Sequence, residues 1–453
     1  MALTKSSEKR REVATGQEFR TFEDSDSVAS QGVAVVDDSG NQVGVAENPL
    51  IVSPGVLGGV NLDAFGRQRV SQPVVLLSLV HDHSKRPEIV TEKTSGDGTS
   101  THVATSKYVA MTVSTAGDEV VRQTRERFVY RAGQSVLFFG TFRWGSVDEL
   151  VTMELGLHDG DDGILLGCVN GSIQLRIEAT GAASQAVPRS SWDDPMDGTG
   201  QSGVELDFTK AQIFWIDLEW LGVGTVRCGF VVDGRLYVAH TFHHANGIFG
   251  PYMRTATLPV RYRIRANGTP SGSVTMRQIC AAVLREGSKI EPGPTYTVNS
   301  GSTVDVTESS DWNAVIGIRA KSTFTDATIE LIATQTINLD SADPIEYAIV
   351  RNPNHAGTFS DVNSDSAVEW SETTGTITDG DWEHQIDHRY VGAAQFSRGG
   401  VGDENFTLPP RLGRRFDSGD GDYDDRDEFW LIARTLDGAS SCRSSMTFHE
   451  LRG

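Results

Sequence analysis

Short apolar runs split by glycine-bearing turns recur along most of the chain, most clearly over residues 214–246. There FWIDLEWLG, TVRCGFVV and RLYVAHTFHHAN are separated by Val-Gly and Asp-Gly steps. Phe214, Ile216, Leu218 and Trp220 alternate with Trp215, Asp217, Glu219 and Leu221. That period of two belongs to a strand with two distinct faces. Asp233-Gly234 signals a type I′ hairpin, because both central residues of that turn need positive φ. The stretch predicts a three-strand meander at the centre of a sheet.

The same pattern extends both ways. Strand-like runs occur at 74–80, 103–113, 120–130, 135–144, 150–157, 164–169, 172–178 and 260–264. Helical period is nearly absent, although a chain of 453 residues is expected to hold some helix, and a short one fits residues 7–13. Many short strands at this spacing imply a sandwich or jelly roll over 76–290. Residues 192–202 read as a long polar loop within it. Pro292 and Pro294 stiffen a linker over 291–300, and further strand-like runs fill a second β-rich domain at 301–453. Residues 1–75 form an extended arm with too little apolar material for its own core, so it should lean on a neighbour. The predicted fold class is all-β: a central jelly-roll-like β-sandwich, a second β-rich domain and an N-terminal arm.

Charge narrows the function classes. The net charge of −21 argues against a phosphate-binding surface, so nucleic acid is not an expected partner. No apolar run approaches the roughly 18 residues needed to span a bilayer, and no membrane partner is expected. The N-terminus is polar, without the apolar segment of a secretory signal, which predicts folding in a cytoplasm. Cys168, Cys228, Cys280 and Cys442 are dispersed and read as buried free thiols.

Few constellations offer chemistry. In DSGDGDYDDRDE, Asp420, Asp422 and Asp424 have the alternate spacing that opens a calcium loop. Asp425 and Leu431 then stand where such a loop needs Gly and Glu, so a solvated acidic loop competes with calcium as the only cofactor considered. Asp159, Asp161 and Asp162 are a weaker version and read as a turn. His240, His243 and His244 lack the Cys or carboxylate that would complete a zinc set. Asp217 and Glu219 share a strand face near Trp215 and Trp220, as a glycosidase pair on a sugar platform would, but a solvent face also carries carboxylates there. No GxSxG, HExxH, GxGxxG or Walker sequence occurs, so no catalytic residue is assigned. Two basic patches, Arg122, Arg125 and Arg127 with Lys107, and Arg411, Arg414 and Arg415, suggest contacts with acidic patches on other copies.

The order VVDDSGNQV, ENPLIVS, NLDAFGRQRVSQP and VVRQTRERFVYRAGQS resembles a family of tailed-bacteriophage virion proteins with a "DAFGRxRVS" segment. The resemblance continues through residues 215–246, TLPVRYRI, QICAAVLREG and the closing FWLIARTLDGASSCRSSMTFHEL. It covers most of residues 33–453, and its motifs are structural. Ile51 departs from it, where the family often has Pro. It implies a tail-, baseplate- or capsid-associated fibre or adaptor in the virion, docked to other virion proteins through the arm. A homo-oligomer is expected, with a trimer favoured. The alternative it leaves is a receptor-binding module gripping host glycan through aromatics such as Trp192, Trp312, Trp370 and Trp382. A polysaccharide depolymerase is the third reading.

Overall fold

The computed structural model describes residues 11–12, 18–19, 63, 72–180, 184–287, 293–307, 310–324, 327–339, 343–392, 396–400, 410–416 and 425–451. The chain falls into two compact units, Met1–Gly59 and Val60–Gly453. In the first, Arg11–Glu12 pairs antiparallel with Glu18–Phe19, where the sequence suggests a short helix. The rest of the expected arm, apart from Asp63 and its last few residues, lies outside the described residues. Val74, assigned by sequence to that arm, already opens a strand.

The second unit is all-β. Its only helical turn among the described residues is the 3₁₀ turn Arg189–Ser191, so the expected helix does not materialise there. Two antiparallel sheets make the first sandwich. One has seven strands in the order Gln185–Pro188, Ser172–Glu178, Gly163–Val169, Val151–His158, Val260–Ala266, Glu119–Thr124, Val90–Ser95. The other has eight strands, built on the long strand Val274–Arg285. One edge of that strand pairs with Tyr108–Val113 and Val74–Val80 in succession, and the other pairs with Val136–Trp144. The three strands of the 214–246 region, Gln212–Leu218, Val226–Val232 and Arg235–Phe242, continue outward from Val136–Trp144. They therefore form one end of the sheet, and Val274–Arg285 takes the central place expected for the meander.

The period of two explains the layering. In VRYRIRA, Val260, Tyr262, Ile264 and Ala266 enter the core while Arg261, Arg263 and Arg265 point outward. Phe214, Ile216 and Leu218 likewise face inward, and Phe214 meets Phe138 and Phe230 at ring distances of 6.5 and 5.5 Å. Asp233 and Gly234 adopt φ of +51° and +74°, as a type I′ turn requires. Residues 192–202 form the loop read from the sequence, but part of it is anchored inside the sandwich. Trp192 and Met196 are buried in the core, and Trp192 stacks on Phe230 at 6.1 Å.

The second sandwich starts earlier than predicted. Thr295–Asn299, expected in the linker, is a strand paired with Ala439–Leu451. That strand, Thr328–Asn338, Phe396–Gly400 and two short partners complete a six-stranded sheet. A seven-stranded sheet centred on Trp312–Ala320, Glu428–Thr435 and Ile345–Pro353 covers it. Their shared core includes Ile316, Leu331, Tyr347, Leu431 and Phe448. A smaller cluster with Trp312 and Trp430 lies apart from it.

Two tests of this packing follow. Phe214→Ala should cost about 3–5 kcal/mol in denaturant unfolding, as a buried aromatic truncation does. His81 is buried, and burial, then nearby Arg122, lowers its pKa from 6.5 to about 4. The folded chain thus keeps this ring neutral while the unfolded chain protonates it near pH 6.5. Its stabilising contribution is whole above that pH and is lost as pH falls toward 4. The urea midpoint should drop between pH 7 and 5, and His81→Gln should flatten the slope.

Candidate functional site

The two basic patches found in the sequence are spent inside the chain, mostly where the two sandwiches meet. Arg125 follows the strand Glu119–Thr124 and is 8% exposed. Its Nη1 donates to Asp427 Oδ1 at 2.8 Å, its Nη2 donates to Glu383, and its Nε donates to Pro87 O at 3.0 Å. Asp427 is fully buried and also accepts from Asn352 Nδ2 at 2.9 Å. Asn352 sits at φ +49°, and its Oδ1 accepts the Glu428 amide at 2.8 Å. A guanidinium from the first sandwich is thus held by carboxylates of the second. The acidic partner foreseen on another copy is Asp427, at the end of the acidic run of the same chain.

Backbone closes the same seam. The Arg414 amide donates to Arg125 O at 3.0 Å, and a Cβ at Gly413 would stand 2.3 Å from that oxygen. Arg411 donates from Nε to Glu330 at 2.7 Å and from Nη1 to Glu126 at 3.3 Å. Arg351 Nη2 donates to Arg411 O at 2.9 Å. Beside these pairs lies a cleft of about 440 Å³. The strand Val74–Val80 and Phe128 form one wall, while Glu330, Arg411 and His449 form the other.

The remaining candidates take structural places. Arg122 is buried, with Nε donating to Gln278 at 2.6 Å and Nη1 to Glu92. Arg127 pairs with Asp159 at 2.9 Å, and Arg415 with Asp425 at 2.8 Å. Lys107 donates to Asp82 O at 2.5 Å. Asp159 accepts the Asp161 and Asp162 amides, and Asp162 accepts those of Thr180 and Arg254, which makes this acidic cluster a turn. Asp217 pairs with Arg227 on the outer face of the eight-stranded sheet. Glu219 is buried beyond that strand and accepts from Tyr130 Oη at 3.2 Å and the Gly133 amide at 3.1 Å. The two carboxylates are therefore committed to different partners.

His240 lies 3.2 Å from an Asp193 carboxylate oxygen, whereas His244 stacks on Tyr252 at 3.8 Å and contacts Gly224 O at 2.7 Å. His243 is exposed. Among the described residues no group of His, Cys, Asp and Glu side chains is arranged to hold a metal. Asp420, Asp422 and Asp424, the calcium candidates, lie outside the described residues. Trp192 and Trp312 are buried, and Trp370 and Trp382 are half-buried, so these rings do not form an exposed platform. Cys168, Cys228 and Cys442 are buried free thiols; Cys280 is free and half-buried.

One polar surface went unnoticed in the sequence: the outer face of the first sandwich's seven-stranded sheet. Arg263 bridges Glu119 at 2.8 Å and Glu154 at 3.2 Å. Arg176 bridges Glu154 at 3.0 Å and Glu178 at 2.6 Å. The Arg-x-Arg-x-Arg alternation of 261–265 was its one local signal, since the partners come from other strands.

Replacing Asp427 by Ala should cost about 3–5 kcal/mol, because the Arg125 charge stays buried without its main partner. Calorimetry should show the unfolding of the sandwiches separating in Asp427→Ala and in Gly413→Ala.

No family model matches the chain, and no curated protein matches it. Among solved structures it is similar to a legume lectin-like domain from Entamoeba histolytica, with 11% identity and a TM-score of 0.30 over 48% of this chain and 98% of that one. It is also similar to a glycoside hydrolase family protein from Mycobacterium thermorestibile, with 12% identity and a TM-score of 0.32 over 46% and 99%. An endo-1,3-beta-glucanase from Streptomyces sioyaensis gives 11%, 0.29, 48% and 97% in the same order. At these scores the likenesses carry no chemistry to this chain.

Proposed function

We propose that the chain is a structural component of a bacteriophage particle, a fibre or adaptor that works through protein–protein assembly. The carrying observation is the seam. Arg125, Asp427, Glu383 and Asn352 join two sandwiches through buried, charge-assisted hydrogen bonds. Such a joint resists bending, which suits a load-bearing spacer. The segments NLDAFGRQRVSQP and VVRQTRERFVYRAGQS, similar to those of tailed-phage virion proteins, support the same reading. Arg122 and Arg125 of the second segment supply seam and core ion pairs, so its charges serve rigidity. On this reading the N-terminal arm docks to other virion proteins, copies associate as a trimer, and the protein resides in the virion.

A second reading, recognition of a host-surface glycan, rests on the polar outer face of the first sandwich's seven-stranded sheet. The two can coexist in one chain.

Mass spectrometry of purified particles should find the chain at fixed stoichiometry, with native mass spectrometry giving a trimer. Asp427→Ala should lower its incorporation. A chain that stays in the lysate and never co-purifies with particles would overturn the assembly role.

A further inference from the structure

A loop at one end of the first sandwich projects an apolar tip. Residues 245–251 are all exposed, and Phe249 is fully so. Ile248 beside it and Leu221 on the adjoining turn are exposed as well. The base of the loop is firm. The Gly247 amide donates to His244 O at 2.9 Å, and the Tyr252 amide donates to Gly222 O at 3.0 Å. His244 stacks on Tyr252 at 3.8 Å and contacts Gly224 O at 2.7 Å. The tip is thus held out on a fixed base, which lowers the entropy cost of docking.

The same chain carries an apolar recess. The cleft of about 440 Å³ has Val74, Val75, Leu77, Ile89 and Phe128 on its apolar side. Val75 is 57% exposed, so that side is open to solvent. A cavity of roughly 150 Å³ holds a benzene ring, so the cleft has room for the Phe249 ring with Ile248 beside it. The charges of the cleft are matched internally. Arg411 donates to Glu330 at 2.7 Å and to Glu126 at 3.3 Å, and Arg86 pairs with Glu88. A charged segment entering there would leave one charge uncompensated. Residues 245–251 hold no charged side chain, and neither do residues 220–226. On a chain of net charge −21, the tip is therefore a place where two copies repel each other least. Its lack of cations sets it apart from a loop that grips an anionic membrane.

The tip does not fill the cleft of its own chain, since Phe249 is fully exposed. Val74 faces Arg285, Arg285 faces Val136, Val136 faces Leu218, and Leu218 faces Val226. Four strand spacings of about 4.8 Å thus place the cleft wall roughly 19 Å from the strand ends beside the tip.

We propose that the tip of one copy seats in the cleft of a second copy, with Phe249 as the anchor against Val75 and Phe128. An aromatic side chain in a desolvated pocket is the kind of group that dominates an interface. The contact is head-to-tail. Each copy offers one tip and one cleft, so the contact repeats from copy to copy, and a threefold rotation closes it into a ring. This rests on the self-association in the proposed function and names the surfaces that make it.

Native mass spectrometry and sedimentation of the purified full chain test this. The wild-type chain should associate. Phe249→Ser removes the anchor and Val75→Lys puts a charge in the cleft. Each should raise the dissociation constant at least about tenfold. Both side chains are exposed, so the circular dichroism spectrum should be kept. An equimolar mixture of the two variants should form mixed dimers, because an intact tip then meets an intact cleft. Three results would overturn the proposal. They are a wild-type chain that stays monomeric at micromolar concentration, assembly unchanged in Val75→Lys, which would mark a tip-to-tip contact, or a mixture that gives no mixed dimer. No particle is involved, so these outcomes are read apart from incorporation into virions.

Discussion

The ion pair between Arg125 and Asp427 is the constraint on which the larger architecture depends. Each sandwich has its own hydrophobic core, so each could in principle stand alone. What makes them one body is a guanidinium and a carboxylate that are both almost wholly buried. Burying two charges is expensive unless geometry and further hydrogen bonds offset the loss of water. The surroundings supply these bonds: Pro87 O and Glu383 on the cation, Asn352 on the anion. Such an arrangement contributes little as a bare pair. It gains its value from fixing a single relative placement of the sandwiches, because any slip would leave a buried charge uncompensated.

The backbone around the pair is shaped to the same end. Gly413 lets the chain pass within contact of Arg125 O, and Asn352 holds a left-handed φ while bridging Asp427 and Glu428. Gly413 lies between two short strands, and Asn352 departs from extended geometry within the strand Ile345–Pro353. Gly413 makes sense only once the second sandwich lies against the first, whereas Asn352 fixes Asp427 from within the second. Strain and close approach at the seam are thus repaid by hydrogen bonds reaching across it.

Local signals in the sequence carried the strands and several turns. Alternation in VRYRIRA and FWIDL predicts which side chains enter the core, and Asp233-Gly234 predicts its hairpin, because each depends on neighbours within a few residues. The sheet order did not follow from such signals. Val274–Arg285 is the central strand because three others register against it, and no single run announces that. Thr295–Asn299 was hidden among prolines and threonines because its partner lies near the far end of the chain. The basic patches were visible, but Arg125 meets Asp427 across 302 positions, so complementarity seen in the sequence could not be assigned to one copy or two. Trp192 looked exposed because its surroundings are polar. Its ring lies against Phe230, and its Nε1 donates to Val187 O at 2.9 Å, which satisfies its one polar atom inside the core.

Seam and sheet face differ in how their cations are satisfied. On a chain of net charge −21, carboxylates are plentiful, and a cation that serves only stability finds one readily. Arg125, Arg127, Arg176, Arg263 and Arg411 all do. Arg261 sits in the same strand as Arg263, two residues away and on the same face, yet pairs with a backbone oxygen alone. The difference is not supply, since Glu154 and Glu119 lie on the same face and already bind Arg263. It is placement: the position opposite Arg261 on one side is an uncharged amide, Gln123, and on the other a glycine, Gly156. A glutamate at position 123 would complete the ladder. Its absence leaves that guanidinium beside a fully buried amide and bonded to Asp159 O, so the ladder of ion pairs on this face is set by which residues the register brings opposite each other.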